Sequence, residues 1–562
     1  MVSTVRDGTD GATTVSSVEV VKAASNHLRG DLAQELASES ANVGEDSEQL
    51  LKFHGIYAQD NRDVRRERTQ SGQGLEYVFM IRVVVPGGQL TSRQWLALDE
   101  VATTVADGSI RLTTRQAVQF HGVTKGNLRT LARRIDEVYL SSFGGCGDVV
   151  RNVVVCPALG LGDDVDFDRG LASALREAFR SSSSAHWEIF VAGDKVASRE
   201  EVERPFYGET YLPRKFKIAV AHPHENCVDV FAQDVGLIPA NDPRRGPGFT
   251  LVVGGGLGRS YAQPDTFAQL AQPMCFVERD RVRDVVAAIV EVYRDWGERG
   301  NRRRARLKYV IADGGLARFR DEVQRRLGYT LGPPLELPSE FTADDHLGWS
   351  PSPSGRWRLG LHVGAGRVRD DVVGAHLRRA LAQIARLFDV TFAITAQQNL
   401  VIADVPHEGR TVVEAVLADC AVRPLEVLGA VERHALACPA LPTCSQALAE
   451  SERRLPDLVD AVEGEMGRRG VAGRPVQLRL TGCPNGCARP AVAEIGVVGR
   501  TKSTYDLYLG GSPRGDRLAR LYLEKVKLDD VASVVGPLME RWGREGAAGE
   551  TFGDFVTRSG VA

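Results

Sequence analysis

Apolar and polar positions along the chain alternate with two different periods, and the changes of period mark the elements. "LEYVFMIRVVVPGG" is a β-rich run that ends in a Pro-Gly-Gly turn. "TSRQWLALDEVATTVA" returns to helical spacing, a strand is predicted over "SIRLTTRQAVQFHGV" from Ser109 to Val123, and a second helix covers "NLRTLARRIDEVYL". The same order comes back later. "RWRLGLHVGAGRV" is a strand and turn, "GAHLRRALAQIARLF" a helix, and "VTFAITAQQNLVIADV" a strand ending at Val405. Setting Val123 over Val405 places Thr113 over Thr395 and Gln116 over Gln398, while Gly88 and Gly366 sit at the preceding turns with a spacing that differs by four residues. "RNVVVCPALG" at Arg151 and "RHALACPALP" at Arg433 extend the echo. The pattern predicts a duplicated strand-helix-strand-helix unit, each copy followed by a separate segment, with the copies related by a pseudo-twofold axis.

Outside the repeats, "SSVEVVKAASNHLRGDLAQELAS" has helical spacing behind serine caps. The opening "MVSTVRDGTDGATTVSS" reads as a disordered tail without the apolar stretch of a secretory signal. Pro/Ser-rich "GWSPSPSGRW" is the clearest linker. A mixed α/β region runs from Arg151 to about Leu337. The last segment, from about Ala421, is predicted to hold a helix through "SQALAESERRLPDLVDAVEGEMG" and the strand "RPVQLRL".

Composition narrows the classes. With 562 residues, 43% hydrophobic and 25% charged, the chain has apolar material for three or four globular units. A net charge of −3 gives no bulk attraction for nucleic acid, and no apolar run is long enough to cross a membrane. Nine cysteines, odd in number and sparse, do not make a secreted disulfide framework, and they suit a reducing cytoplasm.

Four of these cysteines nevertheless gather in two tight, proline-bracketed turns, "CPALPTC" with Cys438 and Cys444 and "TGCPNGCARP" with Cys483 and Cys487. Zinc knuckles use close C-x2-C spacing around one small ion. The spacings here, C-x5-C and C-x3-C, suit a larger object, and an iron–sulfur cubane held by four thiolates is preferred over zinc or four cysteines buried as small hydrophobes. Pro484, Asn485 and Gly486 form a turn whose N–H groups can face an anion. Cys156 matches Cys438, but the first copy lacks a counterpart of Cys444, so one cluster site is expected, not two. Cys146, Cys156, Cys227, Cys275 and Cys420 have no partner at useful spacing and read as structural. "LVVGGGLGRS" fails as a dinucleotide fingerprint because Arg259 stands where glycine is required; its glycines suit close backbone approach to a bulky group.

"CPALPTC…TGCPNGCARPAVAEIGVVG", with "LLKFHGIYAQDNRDVRRER", "SIRLTTRQAVQFHG", "YLPRKFK" and "FGDFVTRSG", resembles the siroheme and 4Fe-4S sulfite/nitrite reductase family, on its assimilatory sulfite-reducing side, over nearly the whole chain. The resemblance implies an α+β fold: pseudo-twofold duplicated ferredoxin-like halves plus two mixed α/β domains that bind siroheme and cluster. The expected division is a tail and arm over 1–70, half-domain one over 71–140, a siroheme- and sulfite-binding α/β domain over 141–340, half-domain two over 345–420, and a cluster- and siroheme-binding domain over 421–562. It further implies that Cys438, Cys444, Cys483 and Cys487 hold the cluster, with Cys487 bridging to the siroheme iron. A macrocycle rich in carboxylates needs buried donors. The candidates are Arg111, Arg115, Gln119 and His121 along one face of the predicted strand, Arg306 and Lys308 in "NRRRARLKY", and Gln397 and Asn399 in "ITAQQNL".

For a compact oxyanion the resemblance points to Arg82, Arg151, Lys215 and Lys217 as binding and proton-delivering groups. Lys215 and Lys217, two apart on a strand, point the same way with Phe216 opposite, an unfavourable pairing unless an anion lies between them. Nitrite-reducing relatives tend to replace the second lysine, so Lys217 favours sulfite. The expected activity is reduction of sulfite to sulfide, with electrons from an external donor protein, either an NADPH-dependent flavoprotein or a ferredoxin. The alternatives are a ferredoxin-nitrite reductase and, from another class, a non-catalytic iron–sulfur or zinc scaffold. Neither nucleic acid nor membrane is an expected partner.

Overall fold

In a computed structural model the structure describes residues 15–160, 165–180, 188–191, 194–198, 206–338, 341–352, 354–371 and 374–561. The tail expected at the start lies, through residue 14, outside the described residues.

The predicted strand Ser109–Val123 is instead a hairpin. Ile110–Leu112 and Val118–Val123 pair antiparallel across a turn in which Gln116 has φ +51° and the Thr113 hydroxyl accepts from Arg115 N and Ala117 N. Polar residues of the turn fit strand alternation in the sequence, which is why the break was not legible. The second copy repeats the device. Thr391–Ile394 and Leu400–Val405 flank a turn with Gln398 at φ +66°, and the Thr395 hydroxyl accepts from Gln397 N and Asn399 N.

The two halves exchange strands. Gln89–Thr91, leaving the Pro-Gly-Gly turn of the first copy, pairs with Thr391–Ile394 of the second, and Arg367–Val368 of the second pairs with Ile110–Leu112 of the first. Each half is thus a five-stranded sheet completed by the other. Gly88 and Gly366 make the crossings possible. Both have positive φ, and an added Cβ would lie 2.6 Å from Ile394 O and 2.4 Å from Leu112 O respectively. Helix Ser92–Thr104, started by a Thr91–Gln94 capping box, covers the seam and stacks Trp95 on Phe392 with centroids 4.6 Å apart.

The segments after each half are also copies. Val154–Val155, Ile218–Val220 and Val235–Asp242 lie parallel, followed by antiparallel Gly246–Val253 and Gln272–Glu278. Leu436–Ala437, Leu478–Thr481 and Ile495–Gly499, then Thr504–Leu509 and Arg520–Lys527, repeat that order and direction. The register pairs Val235 with Ile218 and Ile495 with Leu478, so counting back sets Cys227 over Cys487, Pro223 over Cys483 and Asp229 over Arg489.

Three expectations are corrected. The Pro/Ser-rich stretch is a hairpin, not a linker: Gly348–Pro351 pairs with Trp357–Leu361, with Gly355 at φ +76° in the connection. The predicted last-segment helix is confined to Leu455–Arg468, begun by a proline in its first turn, because Leu448 N and Ala449 N are both taken by Gly482 O. The strand "RPVQLRL" is reduced to Leu478–Thr481. No helix of the described residues is long and apolar enough to cross a membrane.

Candidate functional site

Gly482 knits the two cysteine turns together. Its carbonyl accepts from Leu448 N at 2.8 Å and Ala449 N at 3.0 Å, and its N–H donates to Cys438 Sγ at 3.3 Å. An added Cβ would lie 2.6 Å from Ala440 Cβ. Arg62 braces the first turn, donating to the carbonyls of Pro442 at 3.3 Å, Cys444 at 2.8 Å and Ala447 at 2.9 Å. Sequence reasoning missed it inside the charge run "NRDVRRER", where no periodicity separates one arginine from the rest. Cys438 and Cys483 are buried, Cys444 half-buried and Cys487 exposed.

Burial, then the charge of Cys487, push the Cys438 thiol up, and the same two causes raise Cys444 and bring Cys483 to about 12. Four thiols in mutual electrostatic reach ionise together only around a compensating cation. This donor set fits a cationic iron–sulfur cluster.

Beside them lies one row of a sheet. Arg82 pairs with Gln119, Gln119 with Arg111 and Arg111 with Arg367, so four polar side chains from four strands share a face, and His121 follows Gln119 on it. Arg111 is buried, donates to Ala437 O at 2.8 Å, lies 3.3 Å from Glu452 and leaves its Nε without a partner. Arg367 grips Glu452 with two bonds of 2.7 and 2.9 Å. His121 Nε2 is buried without a partner; burial, then Arg367 and Arg111, keep the ring neutral by lowering it well below its ordinary value. Arg82 donates to Cys146 Sγ at 3.1 Å, and burial followed by Cys146 raises the Tyr57 hydroxyl to about 12. Cys146 is therefore part of this wall. Neither it nor Tyr57 was marked by sequence spacing.

Arg115 is not on the strand face. It sits in the hairpin turn, donating to Gln233 Oε1 at 2.8 Å, to Ile218 O at 3.1 Å and to Asn152 O. The same turn touches the cysteine loop, Thr114 Oγ1 donating to Cys487 O at 3.1 Å. Arg151 is buried and donates to Gly147 O at 2.9 Å and Gly145 O at 3.3 Å. Lys215 and Lys217 flank buried Phe216 in extended chain, and neither ammonium has a hydrogen-bond or ion-pair partner among the described residues. Burial, then Arg214 and Arg306, lower Lys215 to about 7; burial, then Lys215, lowers Lys217 well below its ordinary value. Burial, then Arg151, brings Arg115 to about 9. Arg306 is paired with Asp234 at 2.8 Å.

Lys308 gives its donors to the carbonyls of Gly256 at 3.0 Å, Gly258 at 2.8 Å and Phe267, so it shapes the glycine loop. That loop approaches protein backbone: an added Cβ at Gly255 would lie 2.2 Å from Phe231 O, and one at Gly258 3.1 Å from Asn485 O. Gln397 leaves a buried Oε1 unpartnered, while Asn399 Oδ1 accepts from Val363 N at 3.1 Å.

Cations thus converge beside Cys487 with few carboxylates among them. Buried unpaired ammonium and guanidinium groups are costly, and a polyanion would satisfy them. The residues present fit a tetrapyrrole rich in carboxylates, with a small anion between the lysines.

Comparison with known proteins gives the same direction. The family described as "Nitrite and sulphite reductase 4Fe-4S domain" matches residues 146–331 and 429–562, and the "Nitrite/Sulfite reductase ferredoxin-like half domain" matches 70–138. A sulfite reductase (NADPH) hemoprotein beta-component of Methylobacterium sp. (strain 4-46) is 43% identical, covering 98% of this chain and 91% of that protein. Its counterpart in Acidithiobacillus ferrooxidans (strain ATCC 53993 / BNL-5-31) is 43% identical over 97% and 96%. The solved structure of Mycobacterium tuberculosis NirA protein superposes with a TM-score of 0.77 at 26% identity, covering 96% of this chain and 95% of that one.

Proposed function

This chain belongs to the nitrite and sulphite reductase family, and from that premise we propose that it reduces sulfite to sulfide as a siroheme and 4Fe-4S hemoprotein. The observation that carries the choice of substrate is the pair Lys215 and Lys217, which lie two residues apart, buried among arginines, with no direct ion-pair partner for either ammonium among the described residues; the nearby Asp234 is paired with Arg306. Conversion of sulfite to hydrosulfide and three waters takes up six electrons and seven protons. When bound, siroheme and cluster supply the anion-binding iron and the electrons, delivered one at a time.

The chain's residues supply the rest. Cys438, Cys444, Cys483 and Cys487 would hold the cluster, and Cys487, the exposed one of the four, is the thiolate we assign to couple it to the siroheme. Arg111, Gln119, His121, Arg115, Gln397 and Asn399 would line the macrocycle, while Arg306, through Asp234, and Lys308 position the lysine strand and the glycine loop. Lys215, Lys217, Arg82 and Arg151 bind the oxyanion and stabilise charge on its departing oxygens. A lysine brought to about 7 by burial and then by its cationic neighbours can both hold a dianion and release a proton to it. Domain limits at 71, 141, 345 and 421 are proposed on the same reading.

Electrons come from an external protein. The relatives' names include NADPH, which supports an NADPH-linked flavoprotein over a ferredoxin. That none of the nine cysteines is in a disulfide supports placement in the reducing cytoplasm.

The test is turnover by the purified holoprotein with a chemical reductant, followed by each donor protein in turn. Sulfide release with a tetrapyrrole absorption band, iron and acid-labile sulfide is expected. Efficient turnover of nitrite with sulfite untouched would assign the chain to nitrite reduction, and a colourless zinc protein would make it a scaffold.

A further inference from the structure

The first copy of the α/β segment carries a second cluster of ligand-type side chains, distinct from the four-cysteine site. Cys156, Glu225, Cys227 and His346 place one ligand atom each within 4.8 Å of all the others. His346 Nε2 is 2.8 Å from Glu225 Oε1, and Cys156 Sγ is 3.6 Å from that oxygen and 4.0 Å from that nitrogen. All four side chains are buried or nearly so. These residues come from three separated segments, so their convergence is a property of the fold and not of a local turn.

Sheet register shows what this place is. Val154 pairs with Ala219 as Leu436 pairs with Arg479, which sets Cys156 over Cys438, and Cys227 lies over Cys487. The first copy therefore keeps thiols at two of the four cluster positions. At the others the sequence has Gly162 in place of Cys444 and Pro223 in place of Cys483. A cubane cannot be held by two cysteines, but a single tetrahedral ion needs only four donors about 3.3–3.8 Å apart, the separation set by metal bonds of about 2.0–2.3 Å. Glu225 and His346 complete that number.

We propose that Cys156, Cys227, Glu225 and His346 bind one divalent ion of the zinc class, at the pseudo-twofold mate of the four-cysteine site. Two thiolates and an imidazole select such an ion over magnesium or calcium. The ligands are held in advance. His346 has φ +56°, its carbonyl packs so closely on Gly360 that an added Cβ there would lie 1.6 Å away, and its N–H donates to Asp344 at 3.0 Å. Glu225 lies in a loop bonded to Thr342 through Asn226 N to Thr342 O and Thr342 N to His224 O, both 2.9 Å. The ion would staple the segment entering the second ferredoxin-like half to the first α/β sheet.

Zinc K-edge X-ray absorption on the holoprotein, prepared with zinc sulfate and passed over EDTA, reads this site without interference from siroheme or cluster iron. About one zinc per chain with two sulfurs at about 2.3 Å and two N/O donors at about 2.0 Å is expected. His346→Asn and Cys227→Ser should each lower retained zinc roughly tenfold or more while leaving siroheme and cluster iron per chain unchanged. Zinc below about a tenth per chain, a shell without sulfur, full retention in both variants, or a Cys156–Cys227 disulfide by mass mapping would overturn the proposal. The wild-type spectrum decides even if a variant fails to fold.

Discussion

Asp229 and Arg489 occupy the same left-handed position in the two copies of one α/β unit, and their side chains meet 3.0 Å apart between the copies. Arg479 joins them, 2.7 Å from the same carboxylate oxygen. All three are buried. Equivalent positions of the two copies thus carry opposite charges, and their ion pair holds the copies together. Asp229→Asn leaves two buried guanidinium groups without their anion and should lower stability by about 3–5 kcal/mol. Chemical denaturation of the holoprotein measures it; a change under about 1 kcal/mol would mean the arginines find other partners.

Strand exchange rests on Gly88 and Gly366. Gly366→Ala introduces a Cβ 2.4 Å from Leu112 O at a positive φ, so the Arg367–Val368 strand must move off its partner. A loss of about 2–4 kcal/mol is expected. Retained stability would show that the crossing has more room than its geometry allows.

Glu452 gives the chain an acid-sensitive joint. Although burial opposes it, Arg111 and then Arg367 hold its carboxyl down at about 2. A carboxylate with a lowered folded value stabilises the fold above its unfolded value, near 4.5, and that stability is lost as pH falls towards 2. The contribution is about 3 kcal/mol. Glu452→Gln should show both the loss at neutral pH and a flatter stability profile between pH 4.5 and 2 in urea titrations.

The lysine pair makes anion binding pH-dependent in the opposite sense. Lys215 is lowered to about 7 by burial and cationic neighbours, so an anion that favours its charged form is bound with proton uptake. Affinity should weaken as pH rises through about 7 in the cofactor-free chain and at higher pH once other anions are present. Sulfate, whose charge is constant over this range, is the probe for calorimetry. Lys217→Gln should raise the KM for sulfite about 10–100-fold and affect nitrite less, the scale of one charge-assisted hydrogen bond. Equal loss for both substrates would remove the lysine's part in selecting the dianion.

Cys487→Ser removes the exposed thiol that faces the cationic wall. Sulfite turnover should fall more than about 100-fold, with weakened tetrapyrrole absorbance relative to cluster iron. Unchanged pigment and turnover would exclude a shared thiolate.

The repeat was legible because Thr113, Gln116, Thr395 and Gln398 recur in local order, and the cluster cysteines because their spacing lies within single turns. The hairpin breaks were not. A polar "TTRQ" turn fits the same alternation as a strand, and only the positive φ of Gln116 separates the two. Arg115 consequently moved from a strand face to a turn, where it contacts the lysine strand instead of continuing the row of Arg111 and Gln119. Cys156 and Cys227, read as isolated structural thiols, lie far apart in sequence from each other and from His346, and no spacing rule could join them.

By itself the sequence determined what depends on neighbours along the chain: helical and strand periods, capping, the cysteine turns and the duplication. Only tertiary structure decided which half completes which sheet, which arginines face one another across four strands, and which buried charges lack a counter-ion. Those outcomes are set by long-range packing and by desolvation, whose strength depends on every group brought into the same volume and not on the order in which the groups are written.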